Sequence, residues 1–232
     1  MRLGERAQGI IYRAGAMVIL GVLRIPLLSD ALSSFAKVWL RHRRIFRHLQ
    51  LADYDQVIDG GANVGEFAAL VRGARPSAKL ICVEPHPVAA AVLRRRGFDV
   101  VEAALWNAQG TAILRQRGKA TTSATLMDSS AGGDSGWPVR TIRLDDLPLV
   151  GSRILVKLDL QGAELRALEG LGQAWSRVCA ILLEVSYGPG GTREELSALL
   201  EGRGFREAAT LNELDVAGLP VEGDKLWLRS VP

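Results

Sequence analysis

Short apolar runs alternate with amphipathic segments along the chain from residue 54 onward. The apolar runs predict strands, and they occupy positions 56–59, 79–84, 98–105, 154–158, 178–185 and 225–229. Helical spacing of apolar residues falls between several of these runs, at positions 65–72, 87–97 and 192–203. Because strands alternate with helices, we expect an α/β fold with a mostly parallel sheet and helices on both of its faces.

One long segment, 118–138, shows neither the apolar runs of a strand nor the apolar spacing of a helix. It is rich in Thr, Ser and Gly, and we expect it to be a loop. A loop of this length inside a compact domain is often a lid or a binding loop. Trp137 falls within it and could line a pocket for a small molecule.

The N-terminal fifty residues differ in character from the rest of the chain. They hold nine Lys and Arg against two acidic residues, a net charge of +7, whereas the whole chain carries +4. An uncharged apolar stretch, 14–23, covers about 15 Å as a helix, half the thickness of a bilayer core. We therefore expect a helical extension over 1–50, either a cap packed on a domain over 51–232 or a peripheral contact with anionic lipid or a partner.

Composition excludes several classes of protein. With 232 residues, 48% hydrophobic and 23% charged, the chain has the composition of an ordinary globular domain plus an extension. Cys82 and Cys179 are the only two cysteines, and both fall in apolar runs, so we expect buried reduced thiols rather than a disulfide scaffold or a zinc site. We find no nucleic-acid-binding signature and expect no such partner; a homo-oligomer stays open.

A glycine-rich turn joins the first strand to the first helix at positions 59–65. Glu84 ends the next strand, 24 residues after Gly60, where a carboxylate can accept hydrogen bonds from ribose hydroxyls. A nicotinamide-dependent oxidoreductase is one reading of this pattern, but Ala62 stands where the dinucleotide fingerprint needs its second glycine. Asp59, before the glycines, is typical of proteins that bind S-adenosylmethionine, whose sulfonium and ammonium groups favour nearby carboxylates. A purely structural turn is the third reading.

A second polar cluster follows the strand at 154–158. Lys157, Asp159 and Glu164 lie at a strand end that enters a helix, which is where ligands bind in open α/β sheets. Glu184 ends the next strand and is placed to join them; the alternative is a solvated turn with a helix-capping acid. Asp159 and Glu184 alone give no complete metal-ligand set, and we predict no metal. His86 could contact adenine or act as a base, although a surface turn is favoured.

Four blocks in this order resemble the FkbM family of S-adenosylmethionine-dependent methyltransferases, over about residues 55–229. The blocks are Val57-Ile58-Asp59-Gly60-Gly61-Ala62-Asn63-Val64-Gly65-Glu66-Phe67, Val83-Glu84-Pro85, Thr141-Ile142-Arg143-Leu144-Asp145-Asp146-Leu147, and Lys157-Leu158-Asp159 with Gly162-Ala163-Glu164. The resemblance implies a class I methyltransferase fold, a Rossmann-like seven-stranded sheet whose last strand is antiparallel. It also implies S-adenosylmethionine as cofactor and O-methylation of small molecules, sugars or glycans.

The resemblance also assigns roles to residues of this chain. The methionine part of the cofactor would be held by the turn residues Asp59, Gly60, Gly61, Ala62, Asn63 and Gly65. Glu84 would hold the ribose, and Ala103, Ala104 and Leu105 would lie beside the adenine. Lys157 and Asp159 would face the methyl group, with Glu164 at the helical end of the motif and Glu184 as a further candidate.

One position departs from the family pattern. Gln161 stands where the family usually has Glu, which removes one negative charge from the expected site. A cofactor-binding scaffold without catalytic activity is therefore the non-enzyme alternative. Since S-adenosylmethionine is a cytoplasmic metabolite, we expect a cytoplasmic protein that is at most peripheral to the inner membrane leaflet.

Overall fold

A computed structural model describes residues 45, 49, 53–116, 124–127, 136–186, 193–216 and 219–230. The helices expected within 1–50 lie outside these residues, apart from Ile45 and Leu49, and so does most of the segment 118–135. Within the described residues, no helix is both long enough and apolar enough to cross a membrane.

Strands and helices alternate through the first half of the domain, as the sequence predicts. The strands are β1 (Gln56–Gly60), β2 (Lys79–Val83), β3 (Val100–Val101), β4 (Ala104–Leu105), β5 (Gly110–Gln116), β6 (Ala124–Met127), β7 (Trp137–Ile142), β8 (Ile154–Leu158), β9 (Val178–Ser186), β10 (Phe205–Val216) and β11 (Leu219–Arg229). The α-helices are α1 (Glu66–Ala74), α2 (Pro87–Arg95), α3 (Glu164–Glu169) and α4 (Arg193–Gly202). Short 3₁₀ helices span Leu144–Asp146 and Gly172–Arg177.

Seven strands form the central sheet, in the order β10-β11-β9-β8-β1-β2-β3. Neighbouring strands from β3 to β9 run parallel, and β11, the last strand, runs antiparallel to both β9 and β10. The predicted seven-stranded, mostly parallel sheet is therefore confirmed. All residues of β1 and β8 are buried, because both faces of these central strands are covered.

A second, four-stranded sheet of order β4-β7-β5-β6 was not predicted. The expected single strand over 98–105 is wrong: the chain turns after Val101, where the Ala103 N–H donates to the Val101 carbonyl, and β4 then pairs with β7. The expectation of a loop over 118–138 is also wrong where the structure describes it, since β6 and the start of β7 fall there.

Alternate residues of the central strands pack on opposite faces of the sheet. On one face Ile58, Val156 and Ile181 belong to the larger apolar cluster, which includes Trp175 and Trp227. On the other face a second cluster includes Val57 of β1 and Leu155 of β8. Its members are Ile45, Leu49, Tyr54, Val57, Phe67, Val71, Leu155, Ala180, Leu182, Leu211 and Leu226. Toward the carboxyl ends of the strands, the side chains on this second face become polar.

Candidate functional site

Polar side chains gather where β1, β2, β8 and β9 end. Parallel strands end at the same edge of a sheet, so residues distant in sequence become neighbours there. Asp59 is the register partner of Lys157 across β1 and β8, and Leu158 is the register partner of Leu183, the residue before Glu184. The carboxyl edge thus brings together Asp59, Glu84, Lys157, Asp159 and Glu184, as the sequence predicts.

Lys157 contacts the residues at the ends of both β1 and β8. Its Nζ lies 3.0 Å from Asp59 Oδ1 and 3.9 Å from Asp159 Oδ2, and it donates to the carbonyls of Gly60 (3.3 Å) and Gly61 (3.1 Å). Burial lowers the pKa of Lys157, but the charges of Asp59 and Asp159 more than offset that effect and raise it above its usual value. Lys157 is therefore a protonated cation that fixes its neighbours and not a base.

The glycines of the turn are required by contacts within the protein. Gly61 has φ +68°, and a Cβ there would clash with the backbone oxygen of Asp159. A Cβ at Gly60 would lie 2.7 Å from Leu105, and one at Gly65 would press on α2. The turn after β1 therefore packs directly on the turn after β8.

The backbone N–H groups of the glycine turn are engaged inside the protein. Gly61 and Ala62 both donate to the Val83 carbonyl, and Asn63 donates to Glu84 Oε2 at 2.7 Å. The other oxygen of Glu84 accepts the His86 N–H at 2.8 Å. Burial raises the pKa of Glu84, and the two N–H donors partly counter this rise. The N–H groups of Gly61, Ala62 and Asn63 are therefore already hydrogen-bonded within the protein.

Glu164 lies beneath the turn that follows β8. Its oxygens accept the N–H groups of Leu160 (2.6 Å) and Gly162 (3.0 Å), and the residue is 3% exposed. Burial raises its pKa to about 7, because two hydrogen bonds do not replace the lost hydration of the charge. Glu164 is expected among the catalytic residues, and that role stays a prediction; in the structure its carboxyl group holds the turn.

The solvent-facing part of the cluster consists of Asp159, Gln161 and Glu184. Gln161 Nε2 donates to Asp159 Oδ1 (3.2 Å) and to Glu184 Oε2 (2.8 Å), so one amide joins two carboxylates. The Asp159 side chain is 31% exposed. A small molecule that reaches this edge would therefore meet these two carboxylates first. Among the described residues, no group of three or more His, Cys, Asp and Glu side chains could hold a metal ion.

His86 and Trp137 form one flank of the site. The expectation of a surface turn at His86 is wrong: the residue is 6% exposed, and its Nδ1 accepts the Val88 N–H at the start of α2. The Trp137 ring meets the His86 ring edge to face, with 5.1 Å between centroids. The sequence signal for this cap was available, since Pro87 follows His86 at the first position of a helix.

The three residues expected beside adenine lie in packed surroundings. Ala103, Ala104 and Leu105 are each 1% exposed; Leu105 contacts the Gly60 turn, and Ala104, in β4 of the second sheet, packs with Leu114. Contact between these residues and a ligand stays a prediction.

Comparison with known proteins identifies the family of this site. The sequence model of the methyltransferase FkbM domain matches residues 59–207, which include the whole cluster. The chain belongs to the FkbM methyltransferase family. Methyltransferase sdnD of Sordaria araneosa is 30% identical over 194 residues, 64% of this chain and 73% of that protein.

Solved structures agree on the fold of this FkbM-family chain. Methyltransferase FkbM from Methylobacillus flagellatus KT superposes with a TM-score of 0.52 at 15% identity, over 76% of this chain. The aligned part is 44% of that structure's chain. With the strand order described above, this likeness confirms the expected class I, Rossmann-like architecture.

Replacing Gly61 with Ala should destabilise the domain, because the new Cβ meets the Asp159 carbonyl. Gly162 is the matched control: its φ is +103°, yet a Cβ there meets nothing within 4 Å. We expect Gly162→Ala to lose about 1 kcal/mol of unfolding free energy from backbone strain alone, and Gly61→Ala to lose clearly more. Urea unfolding measures both values, and equal losses would contradict the contact between the two turns.

The pKa of Glu164 predicts a pH-dependent contribution to stability. Because its pKa is raised from 4.5 to about 7 in the folded protein, the protonated form is favoured by folding and stability is lost as pH rises through 7. Relative to Glu164→Gln, the wild type should lose on the order of 2 kcal/mol between pH 5 and pH 8. Melting temperatures of both proteins across this range provide the test, and a pH-independent difference would contradict it.

Proposed function

We propose that this protein is an S-adenosylmethionine-dependent methyltransferase that methylates a hydroxyl group of a sugar, a glycan or another small polar acceptor. Its family membership supports methyl transfer. The observation that carries the choice of cofactor is the charge of the carboxyl edge. Carboxylates line it, and the amides of the glycine turn are already bonded to Val83 and Glu84.

These features fit S-adenosylmethionine better than a dinucleotide. The pyrophosphate of a dinucleotide binds to unoccupied N–H groups at a helix N-terminus, and nearby carboxylates repel it. S-adenosylmethionine has a sulfonium and an ammonium group, which carboxylates attract. Its ribose hydroxyls would donate hydrogen bonds to Glu84. The partly exposed carboxylate of Asp159 stands beside the turn where the methionine part would lie, with the buried Asp59–Lys157 pair behind it. The nicotinamide-dependent alternative is disfavoured on the same grounds.

When bound, S-adenosylmethionine would supply a methyl group activated by its sulfonium centre. The chain's own part is to orient the acceptor and to take its proton. Asp159 presents a carboxylate, about a third exposed, that would accept the hydrogen bond of the acceptor hydroxyl and then hold its proton. Glu184 would support the same group, and the cation of Lys157 would stabilise the charge of Asp159 from the protein side.

We infer the location and membrane contact from the sequence alone. S-adenosylmethionine is a cytoplasmic metabolite, so a cytoplasmic protein would have access to it. The basic residues of 1–50 would be attracted to an anionic membrane leaflet. A lipid-linked glycan would then be within reach as an acceptor.

Replacing Glu84 with Ala should weaken S-adenosylmethionine at least about tenfold, because charge-assisted hydrogen bonds to the ribose are worth about 1.5–3 kcal/mol each. Calorimetric titration measures the affinity, and the melting temperature reports on the lost contacts to Asn63 and His86. Glu102→Ala is the matched control, since Glu102 is an exposed acid that pairs with Arg94. An affinity within twofold of wild type in a folded Glu84→Ala variant would contradict the ribose assignment.

Replacing Asp159 with Asn should reduce kcat by about 10²–10⁴, the usual effect of removing a positioned acid or base. Cofactor affinity should change much less. Formation of S-adenosylhomocysteine with a panel of sugar and small hydroxyl acceptors is the assay, with Asp99→Asn, an exposed acid paired with Lys79, as control. A wild-type rate in Asp159→Asn would move the base to His86 or Glu184. No turnover by the wild type with any acceptor would favour the scaffold alternative.

A further inference from the structure

Gln161 has a backbone conformation that residues other than glycine rarely adopt. Its φ is +55°, in the left-handed region, and it is one of two non-glycine residues with positive φ among those the structure describes. Such strain persists only where the surroundings hold it, and here the Glu164 carboxylate holds the N–H groups on either side, at Leu160 and Gly162. The turn therefore fixes where the Gln161 side chain points.

That side chain places its Nε2 between two carboxylates. The bonds to Asp159 Oδ1 and Glu184 Oε2 use both N–H groups of the amide. Two carboxylates this close repel each other, and the usual remedies are a shared proton, a cation or a hydrogen-bond donor between them. Gln161 supplies the third remedy without adding charge.

The surroundings make this donor important. From β8, Lys157 reaches Asp159 at 3.9 Å, but its closer contacts are with Asp59 and the glycine turn. From β11, Asp224 is the register partner of Glu184 and is buried. From α3, Glu164 adds a further acid under the turn. Acidic groups thus lie near the pair on β1, β11 and α3, and Lys157 adds a positive charge from β8.

We propose that Gln161 is a positioning residue for the methyl acceptor: its amide joins Asp159 and Glu184 into one hydrogen-bond-accepting pair, in the place of a bridging cation or proton. This inference rests on the proposed function for the acceptor, but the bridge itself is a property of the free protein. The pair receives a neutral hydroxyl donor at the exposed edge, and the amide sets the spacing of the two carboxylates.

The test replaces the bridging amide while keeping the size of the side chain. Gln161→Glu puts a third carboxylate between the other two, and Gln161→Met removes the donors without adding charge. Gln173→Glu makes the same charge change at an exposed residue of the 3₁₀ helix Gly172–Arg177. Calcium chloride is titrated calorimetrically into each free protein, and kcat/KM is measured against pH with the best acceptor found.

We expect Gln161→Glu to bind Ca²⁺ with a Kd of about 10⁻³ M or tighter, since three carboxylates supply hard oxygen ligands. Wild type, Gln161→Met and Gln173→Glu should show no such binding. In Gln161→Glu the midpoint of the acidic limb of the kcat/KM profile should shift to higher pH by about one unit, because the third carboxylate favours a shared proton. In Gln161→Met the shift should have the same direction and be smaller.

Equal Ca²⁺ binding by the wild type and Gln161→Glu would overturn the proposed bridge. It would also be overturned if Gln161→Glu bound no Ca²⁺ and its pH profile were unshifted. A change in melting temperature with neither of these effects would assign Gln161 to the structure of the turn alone, which also overturns the proposal. If the wild type turns over no acceptor, the proposed function fails, while the calcium titration of the free proteins still decides the bridge.

Discussion

The ion pair between Lys157 and Asp59 is the interaction on which the carboxyl edge of this sheet depends. Asp59 is fully buried, and an isolated carboxylate in such a place is costly, so the pair stands only because Lys157 is held 3.0 Å away on the neighbouring strand. The same ammonium donates to the carbonyls of Gly60 and Gly61. One side chain of β8 thus fixes both the charge and the shape of the turn after β1.

The chemistry of the site follows from how its donors and acceptors are used. The N–H groups of the glycine turn are bonded to Val83 and Glu84, and those of the turn after β8 to Glu164. The carboxylates that this edge exposes to a ligand are therefore those of Asp159 and Glu184. A ligand with positive charge and hydroxyl donors matches this surface, and this reasoning links the geometry to the methyl transfer expected of the family.

The sequence predicted the central sheet because β1 and β8 are short apolar runs, buried on both faces, in a chain where such runs alternate with amphipathic helical segments. It also located Asp59, Glu84, Lys157 and Asp159, since the end of a parallel strand is where ligands bind. The second sheet escaped prediction because β5 and β7 are partly exposed and broken by polar residues, and the pairing of β4 with β7 joins residues 37 positions apart.

The roles of individual residues were harder to predict than their positions. The need for glycine at position 61 comes from the Asp159 backbone, a contact that no local pattern reveals. The bridge made by Gln161 depends on a left-handed turn held by a buried acid, so the sequence showed only a missing charge.

The central claim is that Lys157 and Asp59 act as one unit, and a double-mutant cycle tests it most directly. Asp59→Asn, Lys157→Met and the double variant are unfolded in urea at pH 7. Each single variant leaves a buried partner uncompensated and should lose about 3–5 kcal/mol. The double variant should then lose less than the sum of the two by at least about 2 kcal/mol. Losses that add to within about 0.5 kcal/mol would mean that the two residues act independently, and the account of this site would be wrong.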